Sequence, residues 1–256
     1  MDLMPLYPDL AGKTAFVTGG SGGIGAETAR WLARNGVRVT VAGRDPQRLD
    51  AVLASLTAIS DGHGVARADC TDLATLERAR DTVLGREGRL DILVAFAGGG
   101  SGRPGPLETV AEADWRSSID HNLTATFLTL RAFVPALKAA RGAAVTMAST
   151  AGRGPSQAPS GYGAAKAGVI LLTQQAAQEL GPAGVRVNCV SPSAILTDRT
   201  ERMMSQDVRE QVAAAHPIRR LGTVADVAAA TLFLVSASAG WLTGATLDIA
   251  GGRVMH

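Results

Sequence analysis

Tyr162-Gly-Ala-Ala-Lys166 is the pairing in this chain best suited to chemistry. On a helix, residues four apart share a face, so this phenol and ammonium stand one turn apart. A free phenol titrates near ~10, too high for an efficient base at neutral pH, and a nearby cation favours the phenolate. Such a pair hands a proton to an oxygen or takes one from it. The chain has only two Tyr, and Lys occurs only at 13, 138 and 166, so this spacing arises by accident in roughly 2% of such chains. Ser149 lies thirteen residues before Tyr162, at the end of an apolar run. Its hydroxyl could hold a substrate oxygen while Tyr162 moves the proton.

A second constellation is Thr18-Gly-Gly-Ser-Gly-Gly-Ile-Gly25, between a β-rich run and an amphipathic stretch. Glycines there let the backbone approach a pyrophosphate, and the helix that follows offers unpaired N–H groups and a partial positive charge. At the end of the second apolar run, Val41-Ala-Gly-Arg44-Asp45 has Gly43 where an acid would bind a ribose 2′-hydroxyl, and then Arg44. A guanidinium can clamp a 2′-phosphate bidentately, so NADP(H) is expected in preference to NAD(H). Against this, Arg44 is also readable as a solvated surface residue partly neutralised by Asp45.

The elements needed to position these groups follow from the alternation of short apolar runs with longer amphipathic ones. Strands are expected at Thr14–Thr18, Val37–Ala42, Val65–Ala68, Leu90–Ala95, Ala143–Ala148, Val185–Val190 and Thr246–Ile249. Helices are expected at Gly23–Asn35, from Pro46, from Asp72 to near Gly85, over Trp115–Ala140, over 160–180, and from the Thr223-Val-Ala-Asp226 capping box to Ser236. This rhythm implies one doubly wound α/β domain over 1–256, a seven-stranded parallel sheet with helices on both faces. A lid segment, about 194–218, is inserted before the last helix and strand. Ligands then bind at the carboxyl ends of the strands, where strand order reverses.

Composition narrows the function further. Of 256 residues, 46% are hydrophobic and 19% charged, with net charge +2 and no block of like charges, which argues against nucleic-acid or membrane-surface partners. Cys70 and Cys189 read as small buried residues. His63, His121, His216 and His256 are scattered, so no metal site is expected. Met1–Leu10 lacks the pattern of a signal peptide. Val227–Leu247 carries no charge, but its Ser, Gly and Thr residues mark it as a buried helix, a turn and a strand, not a membrane span. A cytoplasmic protein is expected.

With these motifs in order, the chain resembles the short-chain dehydrogenase/reductase family, and within it the branch that includes 3-oxoacyl-carrier-protein reductases. The resemblance covers essentially the whole chain. Thr18–Gly25 is similar to the family's TGxxxGIG, and Asp69-Cys-Thr-Asp72 to its adenine-contacting segment. Asn122, Ser149, Tyr162 and Lys166 fall at the spacings of its catalytic tetrad. Asn188-Cys-Val-Ser-Pro192 and Asp248-Ile-Ala-Gly-Gly252 match its later markers. The resemblance implies that Tyr162 is the acid/base, Lys166 lowers its pKa and binds the nicotinamide ribose, Ser149 orients the carbonyl, and Asn122 holds a water in a proton relay. It implies dinucleotide contacts from Gly19, Ser21, Gly22, Gly23, Ile24 and Gly25 at the phosphates. Further contacts are implied from Arg44, Asp69 and Cys70 around the adenosine, from Ala97 and Gly98 beyond the fourth strand, and from Pro192, Ile195 and Thr197 beside the carboxamide. Two positions depart from the pattern. Ala95-Phe-Ala-Gly98 replaces NNAG, which is expected to be a structural change, and Pro192-Ser193 replaces Pro-Gly, which is expected to reshape the nicotinamide floor or the lid.

The substrate is expected to be a small carbonyl or alcohol, including 3-oxoacyl thioesters or small ketones, contacted by Ser149, Tyr162, Gln157 and Met203. Its identity should reside in the loops Gly98–Leu107, Thr150–Gly161 and Ala194–Ile218, where Arg103, Arg199 and Arg202 could greet an acidic carrier. Competing readings are an NAD-dependent alcohol dehydrogenase of the same family, a non-catalytic dinucleotide-binding sensor, and a lyase or epimerase. The intact Ser149, Tyr162 and Lys166 argue against the last two. The resemblance also implies a homotetramer packed through helices 115–140 and 160–180.

Overall fold

The computed structural model describes residues 4–99 and 102–255. Met1–Leu3, at the start of the segment read as lacking a signal peptide, lie outside the described residues, as do Gly100 and Ser101 of the first substrate loop and His256. Seven parallel strands form the main sheet: β1 Thr14–Thr18, β2 Arg38–Gly43, β3 Gly64–Arg67, β4 Ile92–Ala95, β5 Ala143–Met147, β6 Arg186–Pro192 and the last strand, Thr246–Ile249. Two more strands, β7 Ile195–Leu196 and β8 Gly222–Thr223, pair with each other alone, so the last strand is β9. The sheet order is β3-β2-β1-β4-β5-β6-β9, and the chain changes direction across the sheet between β1 and β4. That is the switch point at which the carboxyl ends open a crevice.

Strand alternation splits the core into two layers. Ala15, Val17, Ile92 and Val94 face helices α1 (Gly23–Arg34) and α9 (Val224–Val235) on one side. Phe16 and Leu93 face α3 (Leu73–Glu87), α5 (Ala125–Ala140) and α6 (Ser160–Leu180) on the other. Phe16 stacks on Phe133 of α5 with centroids 4.4 Å apart. A strand buried on both faces must be apolar throughout, which is why these runs do not alternate in sequence.

Most boundaries agree with the sequence reading to within one to three residues. Asp45 caps α2 (Pro46–Thr57), and Asp72 caps α3, which runs past Gly85 to a left-handed Gly88 (φ 72°). The capping box at Thr223 and Asp226 is present in both directions. The uncharged stretch before Asp248 resolves into α9, a 3-10 turn and β9. Two features differ. The helix expected over Trp115–Ala140 begins at Glu112 and is broken: α4 (Glu112–Ile119) passes through a π turn, Asp120–Thr124, into α5. The lid is not a simple loop. It holds β7, α7 (Asp198–Met203) and α8 (Gln206–Ala214), and β8 closes it onto β7. A two-residue strand carries no periodicity to read.

Asn188, fully buried in β6, fixes the turn into β9. Its Nδ2 donates to the Leu242 carbonyl (2.9 Å) and its Oδ1 accepts from the Ala245 N–H (3.0 Å). Asn188→Ala leaves both groups without a partner. It should cost about 3 kcal/mol and lower Tm by roughly 6–12 °C, measured by thermal unfolding.

Candidate active site

The phosphate turn lies over the carboxyl end of β1. Gly19 has φ 66°, and a Cβ there would stand 2.7 Å from the Phe96 carbonyl oxygen. Gly25 abuts the Gly19 backbone just as closely. Only glycine permits either approach. This turn floors a cleft of ≈660 Å³ lined by Gly19, Ser21, Gly22, Gly23, Ile24 and Gly25. Arg44, Asp69 and Cys70 line it at one end, Ala97, Gly98 and Thr197 at the other. The cleft's elongated wall of bare backbone, with N–H groups at the start of α1 and guanidinia at one end, fits a dinucleotide.

Arg44 has company that sequence spacing alone did not reveal. Arg48, one turn into α2, lines the same cleft, and its guanidinium lies where a Cβ on Gly22 would be. Asp45 does not line the cleft; its Oδ1 accepts from Gln47 N–H (3.0 Å) and Arg48 N–H (3.3 Å) as the α2 cap. A Cβ on Gly43 would lie 3.0 Å from Ser21, so little room exists there for an acid. Asp69 accepts from the Thr71 N–H (2.9 Å) and hydroxyl (2.8 Å). The Thr71 bonds, aided by Arg44, hold its carboxyl below the usual range. Burial pushes the thiol of the half-buried Cys70 up to about 11 and raises that of the fully buried Cys189, so both stay as unreactive thiols at neutral pH.

At the other end, the π turn presents Asn122, which is fully buried. Its Oδ1 accepts from Gly99 N–H (3.0 Å), and its Nδ2 donates to the carbonyls of Gly99 (3.0 Å) and Ser118 (2.8 Å). These side-chain bonds pin the loop after β4. The Asn122 backbone carbonyl accepts from the Thr126 hydroxyl (2.7 Å) and from the Ala125 N–H. Ala95, where the family pattern has Asn, is buried in β4. The loop beyond it is held by Thr18, whose hydroxyl accepts from Ala97 N–H (3.1 Å).

Ser149, Tyr162 and Lys166 converge beyond β5. Ser149 caps a 3-10 turn, Thr150–Gly152, accepting from Ala151 N–H (3.2 Å), and lies close to Tyr162. Arg153 anchors this turn to β9 through a bidentate pair with Asp248 (2.9 and 2.8 Å). Lys166 is 3% exposed; its Nζ donates to the Met147 carbonyl (2.8 Å) and lies 5.6 Å from the Tyr162 ring centroid. Burial lowers the Lys166 pKa to about 8. Burial raises that of Tyr162, opposed by the nearby Ser149 hydroxyl and by the charge of Arg199.

The lid borders this end of the cleft through Thr197, Asp198, Arg199 and Arg202, whereas Pro192 and Ile195 lie outside its lining. Pro192 ends β6 and Ile195 is buried in β7. Thr197 caps α7, accepting from Thr200 N–H (3.2 Å), with its methyl toward Gly23. Ser193, the departure from Pro-Gly, bonds to Nε2 of the buried His216 (2.9 Å), whose Nδ1 meets the Val212 carbonyl (2.7 Å). A ring donating at Nδ1 accepts at Nε2 when neutral, so Ser193 is the donor. Gln157 and Met203, expected at the substrate, are exposed and outside the cleft lining. Long-range contacts such as Arg48 over Gly22 and His216 on Ser193 left no short-range signal in the sequence. Among the described residues no cluster of metal-binding side chains occurs.

The fold agrees with the comparisons. A family model described as enoyl-(acyl carrier protein) reductase matches residues 19–253. The 3-oxoacyl-[acyl-carrier-protein] reductase of Chlamydia pneumoniae is 34% identical, over 95% of this chain and 97% of that protein. The cyclohexanol dehydrogenase of a Rhodococcus species is 37% identical over 95% and 96%. The structure of 7α-hydroxysteroid dehydrogenase with NADH and 7-oxo glycochenodeoxycholic acid superposes with a TM-score of 0.90 at 31% identity, covering 98% and 97%. The chain belongs to the short-chain dehydrogenase/reductase family and is an oxidoreductase of the kind that binds a nicotinamide dinucleotide.

Burying Lys166 has a thermodynamic signature. The unfolded ammonium titrates near ~10.4 and the folded one at about 8, so between those values the unfolded chain binds more protons and stability rises with pH. Urea denaturation at pH 8, 9 and 10 should show wild type gaining stability relative to Lys166→Met across that window. A pH-independent difference would contradict the burial of the charge.

Proposed function

We propose that this chain is an NADP(H)-preferring oxidoreductase that interconverts a carbonyl and a secondary alcohol, with Tyr162 as acid/base. The observation that carries this reading is the convergence of Ser149, Tyr162 and Lys166 at the carboxyl end of β5, beside a cleft shaped for a dinucleotide. The bound dinucleotide supplies or accepts the hydride. Ser149 donates a hydrogen bond to the reacting oxygen, and Tyr162 gives that oxygen a proton in reduction and takes it back in oxidation. Lys166, held by Met147, offers its remaining N–H groups toward Gly98, where a Cβ would lie 3.4 Å from Nζ; the nicotinamide ribose would bind there. Asn122 fixes Gly99 and so the wall of that pocket.

Arg44 and Arg48 support NADP(H), since two guanidinia flank the adenosine end and no acid lines the cleft at Gly43. The NAD-dependent reading keeps some support from the steroid dehydrogenase, whose structure contains NADH. The relatives' names span an acyl-carrier thioester, a cyclic alcohol and a bile acid, so their shared chemistry carries over better than any one substrate. A homotetramer is proposed from half-exposed Trp115 and Phe127 and exposed Leu171 on the helices the family uses for assembly. A cytoplasmic location completes the reading.

NADPH oxidation over a panel of ketones and 3-oxoacyl thioesters tests the function. Tyr162→Phe should lose about 10³-fold in kcat. NADPH binding by wild type with no turnover anywhere in the panel would favour the sensor instead. Arg44→Ala combined with Arg48→Ala should raise the KM for NADPH about 30-fold while changing that for NADH little. Equal effects on both would remove the case for a 2′-phosphate site.

A further inference from the structure

Arg199, the second residue of α7, stands at the catalytic end of the cleft, away from the guanidinia of the adenosine end. A Cβ on Gly99 would lie 2.9 Å from its Nη1, and a Cβ on the preceding Gly98 would lie 3.4 Å from Lys166 Nζ. Adjacent Cα atoms are about 3.8 Å apart, so guanidinium and ammonium reach neighbouring points on one short segment. Asn122 pins that segment from behind. Thr197 is the lid residue that faces the phosphate turn, with its methyl 3.7 Å from a Cβ on Gly23. Two residues on, Arg199 reaches across to Gly99 instead. Arg202, three residues further along α7, lines the cleft on the same side.

We propose that Arg199 is a specificity-determining residue that receives a carboxylate on the substrate, a few bonds from the reacting carbonyl, so that the physiological substrates are oxo acids or the matching hydroxy acids. The inference rests on the carbonyl/alcohol function proposed above. A guanidinium presents two parallel N–H donors that match a carboxylate. Gly99 has no side chain to block the approach, and the Arg199 charge acts on Tyr162. A docked carboxylate offsets that charge, which keeps Tyr162 protonated as the donor for reduction. In the reaction the dinucleotide is oxidised, one hydride joins the carbonyl carbon, one proton passes from Tyr162 to its oxygen, and the carboxylate is unchanged.

Three pairs of probes test this: 2-oxobutanoate, 3-oxobutanoate and 4-oxopentanoate, each against its ethyl ester, with NADPH and wild-type, Arg199→Gln and Arg199→Lys enzymes. The quantity read is the acid-to-ester ratio of kcat/KM, in which effects on Tyr162 or on the dinucleotide cancel. At least one acid should be preferred by wild type. That ratio should fall about 50-fold in Arg199→Gln and recover in part in Arg199→Lys, which keeps the charge and loses the fork. Calorimetric titration of NADP+-saturated Tyr162→Phe protein with the same acid should give binding that the added Arg199→Gln change weakens to a similar degree. Preference for the ester in all three pairs, or a ratio unmoved by Arg199→Gln, overturns the inference. So does weakened dinucleotide binding with unchanged acid binding, which would assign the guanidinium to the phosphates. An enzyme that reduces the esters without any Arg199-dependent preference keeps the proposed function and loses this inference.

Discussion

β1 and β4 pair in parallel, with Ala15 opposite Ile92 and Thr18 opposite Ala95, and the sheet grows outward from that pair in both directions. Because the next strand in the chain goes to the far side of β1 in one half and away from it in the other, the segments leaving β1 and β4 diverge. The gap between them is the cleft. The loop after β1 must then turn tightly enough to lie against Phe96, which only a glycine at 19 allows, and the loop after β4 must stay low enough not to fill the gap. Thr18 and Asn122 hold that second loop from its two sides. The candidate catalytic groups Ser149, Tyr162 and Lys166 sit beside the space that the parallel pairing leaves.

The charges are arranged along this cleft by the same geometry. A cation at Lys166 is costly to bury, and the depressed pKa records that cost. The Met147 carbonyl and the Tyr162 ring offset part of it without a carboxylate. An acid beside the ammonium would have made a more stable ion pair and a poorer site, since it would compete for the N–H groups and repel phosphates. Four arginines line the cleft, Arg44, Arg48, Arg199 and Arg202, against two carboxylates, Asp69 and Asp198. Its lining is therefore net positive, which suits an anionic ligand.

How much could be read from the sequence follows from the range of each interaction. Tyr162 and Lys166 are four apart on one helix, and Thr223 and Asp226 three apart around a cap, so their relation is written locally. The sheet was legible because seven apolar runs separated by amphipathic ones admit few arrangements. The π turn at Asn122 was not, because Asp120-His-Asn-Leu-Thr124 has ordinary helical composition and the bonds of Asn122 to Gly99 join segments far apart in the chain. Arg48 over Gly22 and Ser193 on His216 join segments that only the fold brings together. The direction of the Lys166 ammonium, toward a ring and a carbonyl, is likewise a matter of side-chain path that spacing does not fix.

The bond between Ser193 and His216 has a mechanical meaning for the lid. It ties the residue after Pro192 to the far end of α8, and Gly252 packs against Pro217 at the same corner. β7 and β8 stitch the segment's two ends together beside it. The insertion is thus fastened where it leaves the sheet and where it returns, and α7 and α8, with the exposed Met203, are carried between those two fastenings.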